Sequence, residues 1–442
     1  MALSYTDTIC RVLQEGETCH RSLLAGAFSY GTMFSGMATP EIAIGMICRR
    51  AGCIATELSG CDKDRQSQRI LRAVGCPNAC LYANVCDIAQ GRPRDLARHQ
   101  NGDWPSAVTR FAQGIRLRKS VLCIKHSRKC PRMAPDVMVL GSPCTDFSSV
   151  GSQQGVGGET VWPTLVSFAS SRTAPIVIHE NVTRFPSELF CAAFKDKYVI
   201  YEIWARPCDV GFACIRRPRV YRVAVDRRLK LLASPLDLYK QVTAQFMSQE
   251  RPMSLADALF DGRNTAPFKK KCLTVKQQKY YRDFKRLWRA RNRGKLRVPG
   301  RPAVFHLGDN PLKRCVMSET SGAAQLPTLR AGMSRLVIGS ARPPREVAPS
   351  ELLLTMGWPI PSAVGADSDN AAMDNASVDA RTVLKMSELL TPRQVLKKLG
   401  NSMHLAVVTA VIACALAAVD AASLKTLKAG RALFQSRGQC FM

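Results

Sequence analysis

Apolar and polar residues follow a repeating order along the first half of the chain. Between residues 31 and 225, short runs of apolar and β-branched residues are each followed by a small or polar residue and then by sequence with helical periodicity. This order predicts parallel strands joined by helices. The predicted strands are 31–34, 54–61, 81–85, 137–140, 176–178, 198–204 and 221–225. The pattern is typical of an α/β fold with a Rossmann-like sheet, in which ligands bind beyond the carboxyl ends of the strands.

The pattern changes near residue 226. From 226 to 339 strand signals are sparse, Pro and Gly are scattered and positive charges are dense, which predicts a smaller inserted domain. We therefore expect one domain formed by 1–225 and 340–442, with 226–339 as the insertion. The polar segment 365–380 is predicted to be a mobile loop. The apolar stretch 405–419 has 15 residues, fewer than the ~20 that span a bilayer, so it predicts a buried helix and no membrane partner.

The charge balance indicates a polyanionic partner. The chain has 63 Lys and Arg against 34 Asp and Glu, a formal net charge of +29, which favours binding to nucleic acid over a neutral small molecule. Residues 268–301 hold 14 Lys and Arg against Asp283 alone, and 110–132 hold eight with no acid. Tyr281, Phe284 and Trp288 recur at helical spacing, so they can pack inward while basic residues face outward; a solvated charged face is the alternative. The candidate DNA contacts are Lys285, Arg286, Arg289 and Arg293.

The cysteines predict an intracellular protein without a metal site. There are 18 of them at irregular spacing, and residues 1–11 lack the pattern of a secretory signal, so we expect reduced thiols. Two groups invite a metal-binding interpretation. They are Cys76, Cys80 and Cys86, and Cys208 with Cys214. Neither has paired CxxC spacing or a His at finger distance, so buried thiols are the prediction.

Residues 136–151 carry the strongest sign of chemistry. A buried strand delivers Gly141, Ser142 and Pro143 and then Cys144 on a turn at the carboxyl edge of the sheet, where a thiolate can attack a bound substrate. Pro143 fixes φ before the thiol, and the glycine-rich 151–158 can close over the site. One more buried thiol is the alternative interpretation of Cys144.

Two further segments place polar groups near the same edge. The strand at 176–178 leads to Glu180, which could donate a proton or a hydrogen bond, although a lone Glu after a strand is often only a helix neighbour. Arg217 and Arg219 precede the strand at 221–225. Their guanidinium groups can bind a phosphate or a base carbonyl, or they can form a solvated strand edge.

In combination these motifs resemble the cytosine-5 DNA methyltransferases. Gly-Ser-Pro-Cys144, Glu180-Asn-Val and Arg217-Pro-Arg219 occur in that family's order and at about its spacing. The resemblance implies a covalent bond between Cys144 and C6 of a flipped-out cytosine, with Glu180 at N3, Arg219 at O2 and Arg217 supporting the pocket. It also implies that 226–339 is the target-recognition domain and that double-stranded DNA is the partner, with RNA possible. We expect the nucleus as the location if the source is eukaryotic. No oligomeric state is indicated.

The resemblance also implies S-adenosylmethionine as the cofactor. Phe34-Ser-Gly36 resembles the family's first cofactor motif. The ribose-binding acid would be Asp62, or alternatively Glu57, and the adenine contacts would be Asp87 and Ile88. Residues 351–359 and Gly400-Asn-Ser resemble the last two motifs. The complete set of implied cofactor contacts is Phe34, Gly36, Asp62, Asp87, Ile88, Pro143, Asn401 and Ser402.

Three departures from the family pattern keep other functions open. Ala38-Thr-Pro stands where many relatives have two glycines, Ile215 replaces a glutamine, and Thr145 follows the cysteine. A tRNA cytosine-5 methyltransferase is the first alternative, because one branch of the family acts on RNA. A catalytically silent nucleic-acid-binding or regulatory protein is the second.

Overall fold

The structure, a computed structural model, forms two compact units. One consists of Met1–Ala205, Pro218–Gln245 and Val408–Met442, and the other of Arg206–Arg217 and Phe246–Val407. Residues 340–407 thus lie in the second unit, and the domain boundaries inferred from the sequence stay a prediction. The structure describes residues 5–16, 19–91, 114–148, 154, 159–249, 251–259, 273–296, 302–308, 310–311, 325–330, 335–341, 344–359 and 389–439.

A nine-stranded sheet is the centre of the first unit. Its strands are β1 (Ala27–Met33), β2 (Ile54–Cys61), β3 (Cys80–Tyr82), β4 (Ser120–Cys123), β5 (Arg128–Pro131), β6 (Val137–Leu140), β7 (Ile176–Asn181), β8 (Tyr198–Ala205) and β9 (Arg219–Asp226). The order is β5-β4-β3-β2-β1-β6-β7-β9-β8. Strands β3, β2, β1, β6 and β7 are parallel, whereas β9 is antiparallel to both neighbours. The mixed α/β sheet confirms the predicted Rossmann-like fold class.

The first unit also contains most of the helices. They are α1 (Tyr5–Gln14), α2 (Thr39–Ala51), α3 (Arg65–Val74), α4 (Val161–Ser171), α5 (Ser187–Phe194), α6 (Pro235–Gln249), which ends in the second unit, and α12 (Ala421–Gln439). Helices α4 and α5 pack on the sheet through Phe168, Phe190 and Phe194, which are buried together with Tyr198 of β8. This aromatic core lies beneath the ends of β6 and β7.

The second unit contains a small sheet and a basic helix. Its elements are α7 (Leu255–Ala258), α8 (Val275–Arg291), β10 (Val304–His306), β11 (Leu336–Ile338), β12 (Arg345–Glu346), α9 (Pro349–Thr355) and α10 (Pro392–Asn401). Tyr281, Phe284 and Trp288 of α8 are buried in one cluster with Phe305 of β10, and the Phe284 and Phe305 rings stack at 5.6 Å. The predicted inward face of this helix is confirmed.

The apolar C-terminal stretch forms helix α11 (Leu405–Ala417), every residue of which is buried. By length and composition alone, Gln394–Ala417 could cross a membrane, with a mean hydropathy of 1.8. The backbone is not helical at 402–404, and 89% of the stretch's most apolar window is buried in the protein. A buried core helix passes the same test, so the evidence for a membrane span is weak.

Candidate active site

Hydrogen bonds fix the turn that carries Cys144. Strands β6 and β7 are parallel neighbours with Leu140 opposite His179, so the residues that follow both positions meet at one edge of the sheet. Asn181 donates from Nδ2 to the carbonyl oxygen of Ser142 (3.1 Å) and to its Oγ (2.9 Å). The carbonyl of Cys144 accepts the N–H groups of Phe147 (3.0 Å) and Ser148 (2.8 Å). The half-buried Cys144 therefore lies on a fixed turn.

His179 also contacts the Cys144 turn, and it was not among the site residues predicted from the sequence. Its Nε2 lies 2.8 Å from Ser142 Oγ, and its ring contacts Phe168, Phe185 and Phe190 at 4.9–5.4 Å between centroids. Burial, and secondly the charge of Arg222, hold the pKa of His179 well below its usual range. A neutral imidazole in an aromatic environment is a positioning group, not a general base. Its sequence signal was only a polar residue inside an apolar strand.

Glu180 and Arg219 form an ion pair on adjacent strands. Glu180 of β7 pairs with Tyr221 of β9 in the sheet register, and Arg219 is the first residue of β9. The Arg219 Nε and Glu180 Oε1 atoms are 3.0 Å apart, and each side chain is 11% exposed. A charge pair this well screened from water keeps both groups oriented. The structure therefore brings the predicted Glu180 and Arg219 together.

Arg217 belongs to the second unit and is bound to backbone there. Its guanidinium donates to the carbonyl oxygens of Leu329 (3.2 Å) and Gly400 (3.4 Å) and to that of Ser402. Only 3% of Arg217 is exposed. Arg217 thus anchors the Gly400–Ser402 segment, and its contribution to a base pocket stays a prediction.

The last two predicted motifs lie side by side in the second unit. Leu405 donates its N–H to the Met356 carbonyl (2.9 Å), and His404 Nε2 lies 3.2 Å from the Thr355 carbonyl oxygen. Asn401 is exposed at the end of α10, whereas Ser402 is buried. The cofactor contacts predicted for Asn401 and Ser402 stay predictions.

The loop between β1 and α2 has a strained backbone that faces an acid. Phe34, Gly36 and Ala38 all have φ near +60°, a region that residues other than glycine rarely adopt. The Phe34 N–H binds the Cys61 carbonyl (2.7 Å). Asp62 accepts the N–H of Gly36 on Oδ2 (2.9 Å) and that of Asp64 on Oδ1 (2.8 Å). Strain of this kind is concentrated at ligand sites.

Asp62, not Glu57, is the acid at this loop. The Glu57 carboxylate instead accepts the backbone N–H of Cys76 (2.7 Å) on the other side of β2. Asp87 is exposed and Ile88 buried in a short 3-10 helix, Val85–Ile88, that Asn84 caps. Asp87 follows β3 and Asp62 follows the neighbouring β2, so both acids are at the carboxyl edge of the sheet.

These residues fit S-adenosylmethionine. Asp62 carries a carboxylate, the group that accepts hydrogen bonds from a ribose diol. Helix α2 begins at Thr39, and its N-cap residue Ala38 provides no side-chain cap. The positive end of the helix dipole there favours a carboxylate. Phe34 is half-buried beside the loop. The structure therefore offers a helix end that favours an anion and, after the neighbouring strand β2, an acid bonded to the same loop, as an amino acid joined to a nucleoside requires.

Ala38 stands where many relatives have a glycine, and its positive φ predicts that glycine would be more stable there. An L-residue in the left-handed region costs about 1–2 kcal/mol. Glycine removes that strain from the folded state, but its freer unfolded state offsets part of the gain. We expect Ala38→Gly to raise the free energy of unfolding by roughly 0.5–1 kcal/mol, measured by urea denaturation. Ala43→Gly, inside α2, should lower it by about 1 kcal/mol. A loss of stability in Ala38→Gly would show that the strain is not relieved.

Glu41 in the first turn of α2 predicts a pH effect on stability. Burial, and secondly the charge of Glu57, raise the pKa of Glu41 to about 7 from 4.5, and Thr32 Oγ1 donates to its carboxyl group. Because the folded pKa is the higher one, this contribution is complete below pH 4.5 and is lost as pH rises through 7. We expect up to about 3 kcal/mol of unfolding free energy to be lost between pH 5 and 8.

Comparison of Glu41→Gln with the native protein isolates that effect, since glutamine does not titrate. The difference in melting temperature between pH 5 and pH 8 should shrink in Glu41→Gln and stay unchanged in Glu15→Gln, whose carboxyl group is exposed. An equal pH dependence in all three proteins would exclude Glu41 as its source.

The predicted DNA contacts lie on or just after α8. Arg286, Arg289 and Arg293 are exposed, and Lys285 is half-buried, with its ammonium group 5.6 Å from the centroid of the Tyr281 ring. Arg286 lies 3.7 Å from Asp283, the acid one turn earlier. The cationic face is thus available to a polyanion, while the aromatic residues form core rather than a base-stacking surface.

Two predicted loops cannot be assessed. Residues 365–380, and all of 151–158 except Gln154, lie outside the described residues. Asp146 precedes the segment 151–158. Its carboxylate accepts the backbone N–H of Thr160 (2.9 Å), the residue before α4. Asp146 therefore ties together the chain on both sides of the glycine-rich segment, a role that sequence reasoning missed.

A Rossmann-like sheet that carries a cysteine turn, a Glu-Arg pair and an acid bonded to the β1–α2 loop is the arrangement expected of a nucleic-acid-modifying methyltransferase. The model of the C-5 cytosine-specific DNA methylase family matches residues 119–359, more than half of the chain. The protein belongs to this family, as the motifs predicted. Members of the family use S-adenosylmethionine and modify nucleic acid. Comparison with curated protein sequences gives no match.

Several solved structures are similar over most of the chain. A Dnmt2 methyltransferase of S. pombe is 14% identical with a TM-score of 0.48, over 88% of this chain and 98% of that one. The Entamoeba histolytica methyltransferase EhMeth is 12% identical at 0.45, over 88% and 97%. A putative DNA modification methyltransferase of an E. coli prophage is 15% identical at 0.42, over 87% and 97%. The family assignment rests on the match at 119–359, not on these structures.

Proposed function

We propose that the protein is a DNA (cytosine-5-)-methyltransferase that acts on a flipped-out cytosine in double-stranded DNA. The observation that carries this proposal is the arrangement at one edge of the sheet: the Cys144 turn is hydrogen-bonded to Asn181, and Asn181 directly follows the Glu180 that pairs with Arg219. A thiol, a carboxyl group and a guanidinium group are the three functions that activation of a cytosine ring requires.

In the proposed reaction the protein makes the ring nucleophilic. C5 of cytosine is a poor nucleophile until the Cys144 thiolate forms a bond to C6. Glu180 holds N3 or gives it a proton as negative charge develops, and Arg219 stabilises O2. Bound S-adenosylmethionine supplies the methyl group. The C5 proton then passes to solvent, the electron pair of its bond re-forms the C5–C6 double bond and the Cys144 thiolate leaves C6. N3 returns any proton it took to Glu180.

DNA is the favoured substrate because the basic face of α8 can follow a duplex backbone. Methyl transfer from radiolabelled S-adenosylmethionine to duplex DNA, with tRNA as competitor, tests this choice. Transfer to DNA alone is expected, and transfer to tRNA alone would establish the RNA alternative instead. Bisulfite sequencing of DNA from a methylation-free host that expresses the protein would identify the flanking bases.

The silent-protein alternative is tested by covalent trapping. A duplex that contains 5-fluorocytosine cannot release the enzyme once methyl transfer has occurred, because fluorine is not lost as a proton would be. We expect an adduct that survives denaturation and requires S-adenosylmethionine. The absence of an adduct across varied duplex and tRNA sequences would favour a catalytically silent protein.

Charge reversal on α8 should weaken DNA binding. Each lost phosphate contact lowers the slope of log K against log salt by about 0.9, so Arg289→Glu with Arg293→Glu should lower the slope by about 2 and leave cofactor affinity unchanged. Filter-binding titrations at several salt concentrations measure this. The exposed pair Arg227 and Lys230 of the first unit, reversed in the same way, controls for net charge. Equal DNA affinity in the α8 variant and the native protein would place the DNA contact elsewhere.

A further inference from the structure

Four metal-binding side chains converge at one edge of the large sheet. They are Cys80 at the start of β3, Cys123 at the end of β4, Cys130 within β5, and His126 in the turn between β4 and β5. His126 Nδ1 lies 3.4 Å from the sulfur atoms of Cys123 and Cys130 and 3.8 Å from that of Cys80. All four donor atoms lie within 4.8 Å of one another. The cysteines are buried and His126 is half-buried.

The spacing of the donor atoms matches a tetrahedral ion. Zinc binds cysteine sulfur at about 2.3 Å and histidine nitrogen at about 2.0–2.1 Å, so at a tetrahedral angle the two donor atoms are about 3.5 Å apart. The three observed nitrogen-to-sulfur separations, 3.4, 3.4 and 3.8 Å, lie around that value. Three thiolates with one imidazole also form one of the ligand sets typical of structural zinc.

The surroundings also favour a thiolate at Cys123. Its sulfur accepts the backbone N–H of Leu81 at 3.3 Å and that of His126 at 3.5 Å. N–H groups directed at a coordinating sulfur compensate its charge and orient it. The adjoining turn is basic, with Lys125, Arg128 and Lys129, which offsets the single negative charge of a Zn²⁺ ion bound by three thiolates.

We propose that Cys80, Cys123, His126 and Cys130 bind one Zn²⁺ ion as a structural site. Four protein donors complete a tetrahedron and leave no position for water or substrate, which separates this site from a catalytic one. On binding, each of the three thiols forms a Zn–S bond and releases its proton to solvent. The proposal does not depend on the proposed methyl transfer.

The ion would attach the β4–β5 hairpin to the rest of the sheet. In the register of β3 and β4 only Tyr82 and Cys123 are paired, whereas β4 and β5 share four pairs. Cys80 comes from the parallel part of the sheet, and the three other donors come from the hairpin. A shared ion would therefore compensate for the single backbone pair between β3 and β4.

The proposed site differs from the expectation of no metal, which stays a prediction until zinc is measured. Cys80 has Cys76 and Cys86 as its nearest cysteines along the chain, and these three form no paired CxxC motif. The segment Cys123-Ile-Lys-His126-Ser-Arg-Lys-Cys130 has a spacing of two and then three residues between donors, which would have identified three of the four. The fourth donor is more than 40 residues away and becomes visible only through the sheet order.

Metal analysis of the full-length protein tests the proposal. The chain is expressed in zinc-supplemented medium, purified with reductant, and measured by inductively coupled plasma mass spectrometry. We expect one zinc per chain in the native protein and in Cys76→Ser, whose nearby half-buried thiol is outside the cluster. Cys123→Ser and Cys130→Ser should lose most of the zinc. His126→Cys should retain it, because four cysteines also form a structural zinc site.

A second measurement covers variants that fail to fold. The zinc of the native protein is removed with a chelator under reductant, and Co²⁺ is added as a spectroscopic probe. We expect a fall in the melting temperature on zinc removal, its recovery with Zn²⁺, and the visible and near-ultraviolet bands of tetrahedral thiolate-bound Co²⁺. The proposal would be overturned by native protein without zinc that takes up neither ion, by full zinc content in Cys123→Ser and Cys130→Ser, or by a disulfide among the three cysteines in protein purified without oxidant.

Discussion

Replacement of Cys144 by serine should abolish methyl transfer while the fold is retained. A serine hydroxyl is not ionised at neutral pH and is a far weaker nucleophile than a thiolate toward C6. We expect kcat to fall by at least about 1000-fold, equivalent to roughly 4 kcal/mol of activation free energy. The turn itself should persist, because the Cys144 contacts that hold it are made by its backbone carbonyl.

The measurement pairs single-turnover methyl transfer with binding. Cys144→Ser should bind S-adenosylmethionine and duplex DNA as the native protein does, melt at the same temperature and form no adduct with 5-fluorocytosine DNA. Cys191→Ser is the matched control, since this half-buried thiol on α5 should be dispensable. Substantial activity in Cys144→Ser would refute the nucleophile assignment.

Glu180→Gln should lower kcat by about 100-fold or more, the range for loss of a positioned proton donor or acceptor. Glutamine has nearly the same shape, and its carbonyl oxygen can still accept a hydrogen bond from Arg219, so the strand pairing should survive. The amide lacks the negative charge and the transferable proton that the ring N3 requires. We therefore expect a loss in kcat with little change in melting temperature or cofactor affinity.

A second Glu-Arg pair in the same sheet provides the control. Glu202 of β8 accepts a hydrogen bond from Arg222 of β9 at 2.9 Å, so Glu202→Gln makes the same chemical change to a neighbouring strand pair. It should leave kcat within about twofold of native, because the Glu202 carboxylate is one third exposed and pairs with Arg222 rather than with a residue of the Cys144 turn. If both variants lost activity equally, Glu180 would be a structural group and not a catalytic one.

The sequence predicted the parts of the fold that depend on local pattern. Strands β2 and β6 have the predicted bounds. The apolar run of β6 is continuous and ends at a glycine, whereas β2 alternates apolar with polar residues and is followed by Asp62. The site residues followed from the same rule, because Cys144 and Glu180 are near the ends of two buried strands. The interpretation of Glu180 needed one correction: β7 extends through Asn181, so Glu180 is inside the strand and not after it.

Features that depend on distant parts of the chain could not be predicted. Arg217 and Arg219 are two residues apart and looked equivalent, yet one binds carbonyls of the second unit and the other pairs with Glu180 of the first. The strands β4 and β5 were not predicted, because they are short, half exposed and part of a basic stretch. His179 became significant only when the fold placed it beneath Ser142. For Arg217, Arg219 and His179, the partner is remote in sequence.

The reversed direction of β9 has a consequence for how such a site can be assembled. In an all-parallel sheet, one edge receives only groups from strand ends, each reached after a full strand and helix. Because β9 runs against β7, its first residue, Arg219, arrives at the edge where β6 and β7 finish. Because one strand is inverted, a segment that enters the sheet and a segment that leaves it both place side chains at this edge. The basic group of Arg219 and the acidic group of Glu180 are therefore adjacent there.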